Sequence, residues 1–152
     1  MTINEIGWQR GGSAGSASGY YNSFKLYVGL ASVSELSNTF SDNYIPGSRT
    51  LVYETNTQVM SAAPDEWVHI ALDTPFWYNG EDNLIVELEW VGGSNMFYTY
   101  MWETGVNRGL MNKSNINSPT GTLYTRMSEL AFTGTMALEQ ETFGSIKTLF
   151  SF

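Results

Sequence analysis

Apolar side chains recur at every second position along much of this chain, a period that fits a strand with one buried face rather than a helix. The clearest run is 83–91, where Leu84, Val86, Leu88 and Trp90 fall on one side and Glu87 and Glu89 on the other. Residues 24–30 repeat it: Phe24, Leu26, Val28 and Leu30 face inward, Lys25 and Tyr27 outward. Val68, Ile70 and Leu72 align within 67–72, and Leu130, Phe132, Gly134, Met136 and Leu138 alternate at 130–138. Further strands are expected at 2–9, with Ile3 alternating through Glu5, at 51–54, at 95–103, around Leu110 and at 123–127.

Between the strands lie turn and loop residues. Residues 10–19 form a Gly/Ser-rich loop or linker, and 31–48 a polar connection in which Ser32 and Glu35 would cap one helical turn. Residues 74–82 read as a bend ending in an Asn79-Gly80 hairpin turn. Gly92-Gly93 reads as a turn and 104–121 as a long loop. The tail 139–152 fits a helical stripe through Phe143, Ile146 and Phe150, or an alternating strand through Ile146, Phe150 and Phe152; Gly144 and Ser145 favour the extended reading. Seven to nine short strands with no long amphipathic helix predict an all-β fold. The expected architecture is a two-sheet antiparallel β-sandwich, jelly-roll-like, with 1–152 as a single domain.

Charge narrows the partners. Fifteen acidic against seven basic residues give a net charge of −8, which repels phosphate backbones and anionic lipid, so neither nucleic acid nor a membrane surface is an expected partner. No stretch has the length of apolar sequence that a spanning helix requires. Thr2–Arg10 lacks the basic start and apolar run of a secretory leader, so an exported form would be a mature or excised chain. Only 14% of residues are charged, against about 25% in an average domain; Ser, Thr, Asn and Gly make up the polar surface.

Catalytic chemistry has few candidates. The one histidine, His69, sits mid-strand and reads as an outward surface residue. No Gly-x-Ser-x-Gly elbow supplies a nucleophile beside it. One histidine and no cysteine leave nothing for a soft-metal cluster, and no phosphate-binding glycine loop is present. Glu87 and Glu89 share one strand face and are the candidate pair for a glycoside hydrolase, a remote alternative to a solvated face that discourages edge pairing. No cofactor is expected. Calcium is the cation that Asp42, Glu81 and Asp82 would suit, since these loop carboxylates offer hard oxygen ligands.

The segments Phe24-Lys-Leu-Tyr-Val-Gly-Leu30, Leu51-Val-Tyr53, Trp67-Val-His-Ile-Ala-Leu-Asp73, Thr74-Pro-Phe76, Tyr78-Asn-Gly80 and Asn83-Leu-Ile-Val-Glu87 resemble modules of large secreted or cell-surface bacterial multidomain proteins. The resemblance covers about residues 24–90 and rests on packing and turn residues. It implies a jelly-roll-type β-sandwich, a non-catalytic role and an extracellular or cell-surface location. Those modules carry further strands upstream of the region matching Ile3 to Trp8, so the first strand here would be rearranged or supplied by a partner.

Two uses follow for the apolar side chains that a strand cannot hide. Tyr98, Tyr100 and Trp102 fall on one face of 95–103, with Phe97 and Met101 on the other. One face must be core, and the other would present a platform on which sugar rings stack. Trp77 and Tyr78, on the bend, are candidates for the same role; the alternative for all five is packing under the second sheet or a loop. The tail residues Phe143, Ile146, Leu149, Phe150 and Phe152 would instead serve assembly, inserting as a strand into a neighbouring copy. The expected function is therefore adhesion or carbohydrate binding, with a glycan or a neighbouring surface protein as partner. The alternative is a self-assembling subunit of a filament or layer.

Overall fold

The computed structural model describes residues 1–12, 18–94 and 97–136. The chain runs β1 (Thr2–Gln9), β2 (Ser18–Ala31), a 3-10 turn (Ser41–Asn43), β3 (Thr50–Ser61), β4 (Trp67–Trp77), β5 (Asn83–Glu89), β6 (Gly92–Ser94), β7 (Met101–Glu103), β8 (Gly109–Met111), β9 (Thr122–Tyr124), β10 (Arg126–Ser128) and β11 (Leu130–Thr135). Two principal antiparallel sheets result, one ordered β11-β1-β4 and the other β3-β2-β5 with β6 also on β2; β10-β7 and β8-β9 make two short ladders. Ile3, Ile6, Trp8, Ile70 and Phe76 from the first sheet and Phe24, Leu26, Val28, Val52 and Met60 from the second form one buried cluster, closed at one end by Phe97. The molecule is thus an all-β sandwich. These strand orders do not by themselves draw the double Greek key of a jelly roll.

Among the described residues eleven strands stand where seven to nine were expected, because 92–94, read as a turn, is a short ladder and the strand expected at 123–127 is two, at 122–124 and 126–128. Several boundaries move for the same kind of reason. β2 begins at Ser18, inside the expected linker, and β3 continues to Ser61; Ser18 pairs with Ser61 and Asn22 with Thr57, so polar side chains on a ladder conceal both extensions. Gly92-Gly93 is a strand on β2, opposite Tyr21 and Asn22, instead of a turn. Trp90 lies past the end of β5, 37% exposed, with its ring edge-on to Tyr21 at 5.3 Å between centroids.

β1 shows how an irregularity changes the inward set. A bulge between Ile3 and Glu5 shifts the register against both neighbours, so Ile3, Ile6 and Trp8 are buried and the phase through Glu5 is broken. On the β4 side the same step spans Ala71 to Phe76. That excursion holds Pro75, which has no N–H to give a ladder. β4 then resumes as far as Trp77, so Trp77 is the last residue of a strand and not part of a bend.

The 31–48 connection forms no helical turn at Ser32–Glu35. It winds round the buried Asn43, whose side chain accepts from the Ser37 N–H at 2.7 Å and donates to the Ser37 and Thr39 carbonyls at 3.2 and 2.9 Å. Its far end docks on the outer face of the second sheet. A Cβ on Gly29 would meet the Tyr44 ring at 2.5 Å, so only glycine lets that ring lie against β2.

Candidate functional site

Two polar surfaces stand on the outer faces of the sandwich. The first is built on the second sheet, where Glu87 and Glu89 are expected to be a solvated pair. They are engaged instead. One Arg49 Nη lies 2.8 Å from Glu87 and 2.9 Å from Glu89, Arg49 Nε donates to Glu87 at 3.0 Å, and the Tyr44 hydroxyl donates to Glu87 at 2.5 Å. The guanidinium also lies 3.5 Å above the Tyr27 ring, a cation–π contact. Burial alone would raise the Glu87 carboxyl pKa; the hydrogen bonds from Arg49 and Tyr44 outweigh it and hold the group below its ordinary value. Burial and then the Glu87 carboxylate push the Tyr44 phenol well up. A glycosidase acid needs a raised carboxyl pKa. This one is lowered and saturated with donors, so the cluster clamps the connection to the sheet.

The second surface is the outer face of the first sheet, at the C-terminal end of β1. Arg10, just past β1, pairs with Thr99 and is 4% exposed, its Nε without a hydrogen bond. Because neighbours alternate across a strand, Gln9 and Gly11 then face outward, together with Tyr100 and Tyr98 beside them. The Tyr100 N–H donates to the Gln9 carbonyl at 3.0 Å, and the Gly11 N–H to the Tyr98 carbonyl at 3.0 Å. On the other side of β1, Gln9 is opposite Trp67 and Gly7 opposite His69. Beyond Tyr100, the Glu129 N–H donates to the Tyr100 carbonyl at 2.9 Å. Leu130, next along, packs on the core, so Glu129 also faces out. The sheet is therefore four segments wide here, and Trp67, Gln9, Tyr100 and Glu129 form a row across it, spaced roughly 4.8 Å from strand to strand.

The rings are held down on this face. A Cβ on Gly7 would meet the His69 imidazole at 2.8 Å and the Trp67 ring at 3.3 Å, so both lie over bare backbone. His69 Nδ1 is 3.1 Å from a Glu5 carboxylate oxygen. The Tyr100 hydroxyl donates to Asp65 at 2.5 Å, which carries its side chain across β1. Asp65 also accepts at its carbonyl from the Gln9 amide at 2.8 Å. Hydrogen bonding to Asp65, with further influence from Glu129, raises the Tyr100 phenol above its ordinary value.

The five aromatic candidates separate. Tyr98, Tyr100 and Trp102 are 54%, 39% and 61% exposed; Tyr98 and Tyr100 lie beside the end of β1, and Trp102 follows on the separate β10-β7 ladder, opposite the exposed Met127. The strand expected at 95–103 is regular only at Met101–Glu103, with Phe97 turned into the core and Met101 exposed. Trp77 is 66% exposed but pairs with Thr2, the length of β1 away, about 23 Å. Tyr78 is packed against the core, its N–H bonded to the Met1 carbonyl at 2.8 Å. Trp67, Gln9 and Asp65 were not singled out in the sequence. The signal for Trp67 is present, since inward Val68 and Ile70 place Trp67 and His69 outward.

The calcium candidates serve turns. Asp82 accepts from the Asn79 amide at 2.7 Å, and Asn79 in turn accepts from the Glu81 and Asp82 N–H groups at 3.1 and 3.2 Å. Asp42 accepts from the Ser41 hydroxyl at 3.3 Å. No group of three or more His, Cys, Asp or Glu converges among the described residues. The assembly candidates Phe143, Ile146, Leu149, Phe150 and Phe152 lie outside the described residues. Comparison with known protein families, with curated proteins and with solved structures returns no match.

Proposed function

We propose that this chain is a non-catalytic extracellular or cell-surface module that acts in adhesion by binding carbohydrate on the outer face of its first sheet. The observation that carries the reading is the exposure of Tyr98, Tyr100 and Trp102, alternate residues of one segment, with Tyr100 beside Gln9 and Gln9 opposite Trp67. Exposed aromatic rings beside amide and carboxylate groups suit a sugar, whose ring faces are apolar and whose edges are hydroxyls. The hydrogen bond from Tyr100 to Asp65 holds one ring in place before any ligand arrives, which lowers the ordering cost of binding. The non-catalytic half rests on an isolated His69 paired with Glu5 and on a Glu87 carboxylate already saturated by donors. The cell-surface half rests on the resemblance of residues 24–90 to secreted modules. A glycan array probed with the intact chain tests the reading. Binding is expected, with loss on Trp102→Ala or Tyr100→Ala while the circular dichroism spectrum is unchanged; no binding to any glycan overturns it.

A second reading, assembly into a filament or layer by strand exchange, is favoured by one observation. β11 lies at the edge of its sheet, with β1 on one side and no ladder on the other among the described residues. Such an edge can accept a strand from a second copy. On that reading, deleting residues 143–152 leaves a folded monomer that no longer assembles. Native material that sediments only as monomer overturns it.

A further inference from the structure

We infer that the aromatic row takes a glycan bearing free amino groups, with the ammonium seated between the Glu129 carboxylate and the Tyr100 ring. This rests on the carbohydrate reading above and specifies its ligand.

Charge complementarity carries the argument. Glu129 is half-buried beside Tyr100, and its carboxylate makes no hydrogen bond or ion pair among the described residues. A carboxylate without a partner of its own is open to a cation that arrives there, and such a charge-assisted contact is stronger than a neutral one. The other carboxylates of this face, Glu5 and Asp65, are held by His69 and Tyr100, so the field over the row is negative. Among the described residues no cation is paired with Glu129. Arg126 is bonded to Glu103 at 3.0 Å, Arg10 is buried on the other side of its strand, and the whole chain carries −8. The row itself holds the rings of Trp67 and Tyr100, whose faces attract an ammonium directly. An anionic glycan meets repulsion here, and a neutral one gains the stacking alone.

The test is isothermal titration of the intact chain at pH 5.5 with three hexasaccharides: β-1,4-linked glucosamine, its fully N-acetylated form and oligogalacturonate. At this pH the amines are protonated and an ordinary glutamate is ionised. The glucosamine hexamer is expected to bind about tenfold tighter than the acetylated one, and the preference should shrink in 0.5 M NaCl because rim charges are screened. Glu129→Gln should abolish the preference, bringing the glucosamine and acetylated hexamers to affinities within about twofold of each other. Glu81→Gln, the same charge change in the turn after Trp77, should leave the preference intact. Equal or tighter binding of the acetylated or anionic hexamer, or a preference that survives Glu129→Gln, overturns the inference and leaves the carbohydrate reading standing. Failure of all three, and of the array, removes both.

Discussion

The Tyr100 hydroxyl and the Asp65 carboxylate meet at 2.5 Å across β1, so a ring on one side of the strand is fastened to the loop on the other. Asp65 holds this position with φ at +68°, a left-handed conformation that aspartate tolerates and glycine adopts freely. Replacing Asp65 by glycine therefore removes the acceptor without adding strain. Asp65→Gly is expected to leave the melting transition within about 0.5 kcal/mol of the parent. It should return the Tyr100 phenol, raised chiefly by Asp65, toward its ordinary value. Ring-labelled tyrosine NMR across pH 8–12 reads that shift, and a Tyr100 titration unchanged by the substitution rejects the coupling.

The clamp on the second sheet gives a pH dependence whose sign is fixed. Glu87 has its carboxyl pKa lowered in the folded chain, so the unfolded chain takes up the proton first. The stabilisation is fully present above an ordinary carboxylate value of 4.5 and is lost as pH falls through the lower folded value. Glu87→Gln should cost about 1–2 kcal/mol at pH 7, the worth of a charged hydrogen-bond pair discounted because Arg49 is about a third exposed. That cost should shrink as the pH drops from 5 to 3 in urea denaturation series. Tyr44 behaves oppositely. Its pKa is raised by burial and by Glu87, so stability is present below pH 10 and falls as the unfolded phenol ionises above it. Tyr44→Phe should flatten that alkaline limb. A Glu87→Gln cost that is the same at pH 3 and pH 7 contradicts the assignment.

Gly7 and Gly29 both lie beneath a ring, yet alanine should affect them differently. At Gly29 the added Cβ meets Tyr44 at 2.5 Å, and Tyr44 is tied to Glu87 beneath a docked loop. Gly29→Ala should cost about 2 kcal/mol or more, as overpacking does. At Gly7 the Cβ meets the imidazole of the exposed His69 at 2.8 Å, a side chain free to swing into solvent. Gly7→Ala should cost less than about 1 kcal/mol and release His69 from Glu5. Thermal unfolding of the two variants in one buffer decides this; equal losses contradict the picture.

What the sequence disclosed follows from where periodicity is strong. Val28, Leu26 and Phe24 alternate cleanly, and they are core. β1 does not, because the bulge at Ile3–Glu5 replaces a period of two by the set Ile3, Ile6 and Trp8. β6 is Gly92-Gly93-Ser94, and β3 beyond Glu54 runs Thr55-Asn56-Thr57-Gln58 before Met60 reaches the core, so small and polar side chains interrupt the inward and outward pattern. The clamp was hidden because Arg49 lies 38 positions from Glu87; only the pairing of β2 with β5 and the return of the 31–48 connection bring them together. The exposed face was half visible. Alternation in 97–102 marks Tyr98, Tyr100 and Trp102, but Gln9 and Asp65 join them only through the Arg10–Thr99 pairing, which no local pattern encodes.

Exposed aromatics separate by position. Trp77 and Trp102 are nearly equally exposed, at 66% and 61%, so exposure alone assigns both to binding. The ladder assigns them differently, since Trp77 is opposite Thr2 while Trp102 is two residues along the chain from Tyr100, the ring beside Gln9. Truncating a central contact of a binding surface typically costs more than 1 kcal/mol, and 2 at an anchor. Trp67→Ala, Tyr100→Ala and Trp102→Ala should therefore each weaken glycan binding about tenfold or more. Trp77→Ala, the length of β1 away, should leave affinity within about twofold. Both classes of variant keep the buried cluster intact, so all four should unfold in one cooperative transition. Tryptophan fluorescence adds a second readout: ligand should change the emission of the parent and of Trp77→Ala alike, and the response should fall in Trp67→Ala and Trp102→Ala. If Trp77→Ala abolishes binding and Trp102→Ala does not, the ligand sits at the β4–β5 end of the sandwich, and the row across the first sheet is a bystander.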